Sequence, residues 1–140
     1  MIPHVCRVKH DPENGSYGDC LRTSIACILN VEKPEDVPHF FVDGCDGETA
    51  HYRIVDYLKT RNLRPFYLFF DKSYPLEVIL HTVGTTNPGI HYLLSGRTEE
   101  NGHVVICRDD KVVHNTAWYK MPLIGAMGDS WTVTIIAADL

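Results

Sequence analysis

No stretch of about 18 consecutive apolar residues occurs in this chain, so a membrane-spanning helix is not expected and neither is a membrane partner. Met1 to Arg7 lacks the apolar core and small-residue cleavage site of a secretion signal, so no leader is expected. The five cysteines, Cys6, Cys20, Cys27, Cys45 and Cys107, are odd in number and include no Cys-x-x-Cys pair, which argues against a complete disulfide framework and a conventional zinc ribbon. Such a set fits a reducing cytoplasm. Basic residues are scattered, 13 Lys and Arg against 18 Asp and Glu, and the formal net charge of −5 leaves no nucleic-acid footprint. Repeats, low-complexity tracts and Gly/Ser linkers are missing too. With 44% hydrophobic residues, the 140-residue chain reads as one folded domain spanning 1–140. Glutamine is absent altogether, leaving asparagine as the only neutral side-chain amide.

What the chain does contain is a thiol in a favourable place. Pro12, Asn14, Gly15, Ser16 and Gly18 make the stretch from Asp11 to Asp19 a loop, and Leu21, Ile25, Ile28 and Leu29 then recur at helical spacing. Cys20 therefore sits at a helix N-terminus, where unpaired N–H groups and the positive end of the macrodipole favour a thiolate. Beyond Pro34 and a short turn, an acidic loop from Asp43 to Gly47 precedes a second amphipathic helix over 48–62, begun near Gly47 or Thr49. A strand over 64–70, a third helix over 76–81 and a turn-rich segment from Gly84 to Gly89 follow. Strand-like runs then cover 90–95, 103–108, 111–114 and 131–137, with Asp109-Asp110 as a tight turn. Helices first and strands later predict an α+β fold, a Cys-bearing N-terminal helix packed on a largely antiparallel C-terminal sheet.

A thiol nucleophile needs a base, and histidine is suited to the work at neutral pH. Of eight histidines, His103 stands at the mouth of a β-branched strand, after Gly102 and before Val104-Val105-Ile106. The returning strand brings Asn115 to the same end of the sheet, where its amide oxygen can accept the imidazole N–H and fix the tautomer. His114 is the alternative base, although alternation sends it and Asn115 to opposite faces.

The order of Cys at a helix head, His at a strand start and Asn on the next strand resembles the papain-like cysteine peptidase superfamily. Gly18-Asp19-Cys20-Leu21-Arg22-Thr23, Val37-Pro38-His39-Phe40, Gly102-His103-Val104-Val105 and Val113-His114-Asn115 look more closely like a small peptidase-like family of bacteria and their phages. The resemblance implies a papain-like domain and a cysteine-dependent peptidase, isopeptidase or amidase. It would use a Cys20-His103-Asn115 triad through a thioester acyl-enzyme, with a peptide or protein substrate and no cofactor, in the cytoplasm of a bacterium or phage-infected host. That family often has Asp in the third place. Papain-like enzymes usually place Gln before the nucleophile; here Asn14, six residues ahead of Cys20, or less favourably His10, is the side-chain donor to join the Cys20 N–H in an oxyanion hole.

Other readings stand beside this one. A papain-like domain lacking activity would serve as a protein-binding module, directed at a phage or host factor. A zinc site built on His103 and Cys107, with His91 or His114, is disfavoured because residues four apart on a strand are roughly 13 Å apart. Cys6, Cys27, Cys45 and Cys107 read as inert apolar residues. Trp118, Tyr119, Trp131, Phe40 and Phe41 are either pocket walls or core, and the loop from Asn115 to Ser130 is a candidate cleft border.

Overall fold

The computed structural model describes residues 1–117 and 121–139, and it is α+β, with three helices and a five-stranded antiparallel sheet. The chain divides into two compact units, Met1–Pro65 with Ile136–Leu140, and Phe66–Ile135.

In the first unit, helix α1 (Cys20–Ile28) begins at the cysteine, as its glycine-preceded turn predicts. Its buried face differs from the predicted stripe. Thr23 through Cys27 are buried, whereas Leu21, Ile28 and Leu29 are only partly so. The reason is the N-terminal segment, which runs along α1 from its C-terminal to its N-terminal end. Ile2 N–H donates to the Cys27 carbonyl at 3.1 Å, His4 N–H approaches Cys27 Sγ at 3.2 Å, and the Arg7 and Val8 N–H groups reach Asp19. Burying Thr23 and Ser24 leaves both hydroxyl oxygens without a hydrogen-bond partner. Thr23→Val keeps the shape and removes one such group, so an increase in stability of about 1 kcal/mol is expected, read from denaturant midpoints. An unchanged or lower midpoint would mean that the hydroxyl is satisfied in solution.

Helix α2 (Gly47–Lys59) buries Ala50, Ile54 and Leu58. It begins at Gly47, one of the two expected starts, and ends three residues short of the expected Asn62; its N-cap is Asp46, whose carboxylate accepts from Thr49 N–H at 2.8 Å. Phe40 and Val37 are core residues of this unit.

The second unit is organised by the sheet. The strands are β1 (Leu63–Asp71), β2 (His91–Arg97), β3 (Gly102–Arg108), β4 (Lys111–Asn115) and β5 (Ser130–Ala138), in the order β1-β5-β2-β3-β4, with residues 63–65 of β1 and 136–138 of β5 falling in the first unit. Helix α3 (Leu76–Thr86) runs five residues beyond its predicted end, and Gly84, read as a turn residue, lies inside it. Ile79, Leu80 and Val83 of α3 pack with Tyr92 and Leu94 of β2, Val105 and Cys107 of β3, and Trp131 and Val133 of β5. Fully burying one such aliphatic side chain contributes roughly 1.5–3 kcal/mol, so this cluster is the main source of the unit's stability. Trp131, a candidate pocket wall, is therefore core, and its indole N–H donates to the Tyr74 carbonyl at 3.1 Å. Residues Leu123 and Ala126 join the same cluster, so part of the predicted cleft-bordering loop is packed inward. Trp118 and Tyr119 lie outside the described residues.

Candidate active site

Strand register decides which side chains share a face. Along β2 and β3 the directly opposed pairs are Tyr92 with Cys107, Leu94 with Val105, and Gly96 with His103. Opposed residues of an antiparallel pair project to one side, so His103 continues the row that Val105 and Cys107 begin. The partner Gly96 has no room for a side chain. A Cβ there would lie 2.7 Å from the Gly125 carbonyl oxygen and 2.8 Å from the Trp131 ring.

The β3–β4 hairpin turns through Asp109 and Asp110, pairing Arg108 with Lys111 and Cys107 with Val112. Continued without interruption, that register would set His114 opposite Val105 and place it, not Asn115, on the face of His103. A bulge between Ile106 and Cys107 intervenes, so that Val105 opposes Asn115 and Ile106 opposes His114. One extra residue on β4 thus turns Asn115 toward His103 and His114 away from it.

The consequence is a hydrogen bond of 2.7 Å between His103 Nε2 and Asn115 Oδ1. The orientation of the amide is determined by its other contacts, because Asn115 Nδ2 donates to the Met121 carbonyl at 2.8 Å and Oδ1 accepts the Ala117 N–H at 3.0 Å. An oxygen facing Nε2 can only accept, so Nε2 carries the hydrogen and the neutral ring keeps its lone pair on Nδ1. His103 is 8% exposed, and burial pulls its pKa below the usual histidine value, against an upward pull from the Asn115 bond. Burial thus favours the neutral imidazole, with the lone pair on Nδ1.

In the first unit Cys20 occupies the first position of α1 and is partly exposed. The residue before it, Asp19, is 1% exposed and does not cap the helix with its side chain. Its carboxylate instead accepts Arg7 N–H at 3.1 Å, Val8 N–H at 3.0 Å and Arg22 Nε–H at 3.2 Å. A buried carboxylate with three charge-assisted or backbone donors is held firmly, and Cys20 is the next residue along the chain. Sequence reasoning passed over this role, although an aspartate before a helix already suggests a bound N–H. Asn14 lies on the exposed Pro12–Asn14 3-10 turn, and its amide donates to Asp11 Oδ2 at 2.8 Å. His10 Nδ1 accepts the Gly18 N–H at 3.1 Å.

None of the five cysteines, all of them among the described residues, takes part in a disulfide. Burial raises the Cys27 thiol and pushes Cys107 up to about 12, so neither is a nucleophile at neutral pH. Desolvation also raises the Cys45 thiol, whose sulfur lies 3.2 Å from the Phe40 carbonyl. Among the described residues, no group of three or more His, Cys, Asp or Glu side chains is placed to hold a metal ion, and no helix is long and apolar enough to cross a membrane.

Comparison of the chain with protein-family models, with curated proteins and with solved structures finds no match.

Proposed function

We propose that this protein is a cysteine-dependent amide hydrolase of papain-like type, with peptide or isopeptide bonds as its substrates. The observation that carries the reading is the Asn115-held tautomer of His103, which leaves a buried, neutral Nδ1 able to take a thiol proton. The order of elements supports it as well, with Cys20 at a helix head, His103 at a strand start and Asn115 at the end of the next strand.

In this reading Nδ1 of His103 takes the proton of Cys20, and the sulfur attacks the substrate carbonyl carbon. The carbonyl π pair moves onto oxygen, where the Cys20 N–H is the assigned donor and the Asn14 amide joins it only by turning from its bond to Asp11. Collapse of the tetrahedral species breaks the C–N bond, and His103 returns the proton to the departing amine. Water, deprotonated by His103, then hydrolyses the thioester and restores the thiol. Asn115 keeps the imidazole in one orientation throughout. The chemistry needs no cofactor, and a reducing compartment such as the cytoplasm keeps Cys20 as a thiol.

Alkylation with iodoacetamide, followed site by site by peptide mass spectrometry, tests the assignment. At pH 6 Cys20 is expected to react on the order of tenfold faster than an ordinary exposed thiol, because the helix head favours the thiolate and His103 Nδ1 accepts the thiol proton. His103→Ala should move the midpoint of its pH–rate profile upward and remove that advantage. Equal rates at Cys20 and the other accessible cysteines, or a profile indifferent to His103, would overturn the proposal.

A further inference from the structure

The peptide unit joining Tyr17 to Gly18, just ahead of Cys20, has both of its polar groups bound to imidazoles. Tyr17 O lies 2.7 Å from His39 Nε2, and the Gly18 N–H donates to His10 Nδ1 at 3.1 Å. A carbonyl only accepts, so His39 Nε2 carries a hydrogen; an N–H only donates, so His10 Nδ1 carries a lone pair. Each histidine is thereby tied to one tautomer by the same peptide.

The surroundings keep this grip in place. The chain between the two histidines first makes a short excursion closed by the Asp11–Ser16 bridge, and Ser16 Oγ donates to the Lys9 carbonyl at 2.6 Å. Gly18 lies close against His10, since a Cβ on it would be 3.1 Å from His10 Cβ. On the side of His39, the Tyr17 ring covers Gly44, where a Cβ would fall 2.6 Å from Tyr17 Cε1. The loop bearing Gly44 is held by Arg53, whose guanidinium makes two bonds to Asp43, at 2.8 and 2.9 Å, and one to the Phe40 carbonyl at 2.9 Å. Fixing one backbone residue costs at least as much free energy as a single neutral hydrogen bond returns. One imidazole would leave this glycine-containing stretch loose; two on one peptide roughly offset the cost.

We infer that His10 and His39 are positioning residues for Cys20: by holding opposite ends of the Tyr17–Gly18 peptide they set where α1 begins, and so where its first N–H groups meet the Cys20 thiol. This rests on the reading of Cys20 as the nucleophile.

The test compares side chains that differ in reach. In His39→Gln the amide N–H stands near the position of Nε2, and in His10→Asn the amide oxygen stands near that of Nδ1; His39→Asn and His10→Gln misplace those groups, and alanine removes them. Cys20 alkylation at pH 6 is expected to fall about three- to tenfold in the alanine variants, with the pH–rate midpoint moving upward, and to recover in His39→Gln and His10→Asn. Thermal unfolding shows which variants fold. Should an alanine variant not fold, the Asn and Gln variants at that position make the same comparison. A merely structural role would lower the melting temperature and leave the midpoint of folded protein where it was. Unchanged Cys20 profiles in all folded variants, with His103→Ala still abolishing the advantage, would overturn this inference alone. Absence of any elevated Cys20 reactivity in the unmodified protein would overturn both it and the proposed function.

Discussion

Replacing Asn115 by alanine is expected to strand the buried Nε2–H of His103 and to lower stability by roughly 1–3 kcal/mol, the usual cost of a buried donor left without an acceptor. The bond at stake is the 2.7 Å contact to Oδ1, and the Met121 carbonyl and Ala117 N–H lose partners with it. For a chain of this length each kcal/mol corresponds to about 4 °C in melting temperature, so the loss is readily measured. The variant should also respond differently to pH. Burial lowers the His103 pKa and the Asn115 bond partly opposes it, so removing the bond pushes the ring further from protonation. The unfolded chain takes its proton near the ordinary histidine value of about 6.5, before the folded one does. Stability from this group is therefore complete above that pH and declines as pH falls toward the folded-state pKa. In Asn115→Ala the decline should extend to lower pH. Asn115→Asp keeps an acceptor and adds a negative charge that favours the imidazolium, so it should raise the His103 pKa and shorten the decline. An NMR titration of the ring should rank Asn115→Asp above the unmodified protein and Asn115→Ala below it. His91, also lowered by burial, is common to all three and cancels in the comparison. Identical titrations would show that Asn115 does not hold the imidazole.

Much of this architecture could be read from residue pattern, and the parts that could not have physical reasons. The hairpin of β3 and β4 was visible in two β-branched runs around Asp109-Asp110, and Arg108 indeed pairs with Lys111. The bulge was not visible, because Lys111-Val112-Val113-His114-Asn115 alternates no differently with or without an unpaired residue. Yet the bulge selects Asn115 over His114 as the neighbour of His103, so the pairing expected from sequence is made by a feature that periodicity does not encode. Around Cys20 the helix start was legible from turn residues and apolar spacing. The identity of its buried face was not, because the covering N-terminal segment contributes backbone N–H groups, and those are the same in every sequence. Asp19 and His39 share this difficulty. Each acts on main-chain atoms brought close only by folding.

Gly84→Ala should be the most damaging single-methyl change in the second unit, although local propensity argues the reverse. Within a helix, alanine is favoured over glycine by about 1 kcal/mol, and Gly84 lies in the last turn of α3. A Cβ at this position, however, would fall on the Asp109 carbonyl and 2.8 Å from Asp110 N. Backbone cannot rotate aside as a side chain can, and this turn is tethered on several sides. The Tyr92 hydroxyl donates to the Asp109 carbonyl at 2.8 Å, the Gly89 N–H donates to Asp109 Oδ1 at 2.9 Å, and Asp109 already holds a left-handed φ of 53°. Overpacking ordinarily costs about 1–3 kcal/mol, and a clash with anchored backbone belongs at or above the upper end, so the net effect is destabilising by roughly 2 kcal/mol or more. Relief requires the turn to leave α3, which disturbs Cys107 and Val105 and with them the strand that ends in His103. Gly47→Ala serves as the matched control. It lies at the start of α2 with no atom within 4 Å of its would-be Cβ, so the propensity gain should appear there as unchanged or increased stability. Denaturant midpoints of the two variants distinguish the effects, and a Gly84→Ala protein as stable as the parent would show that α3 does not rest on the Asp109-Asp110 turn in solution.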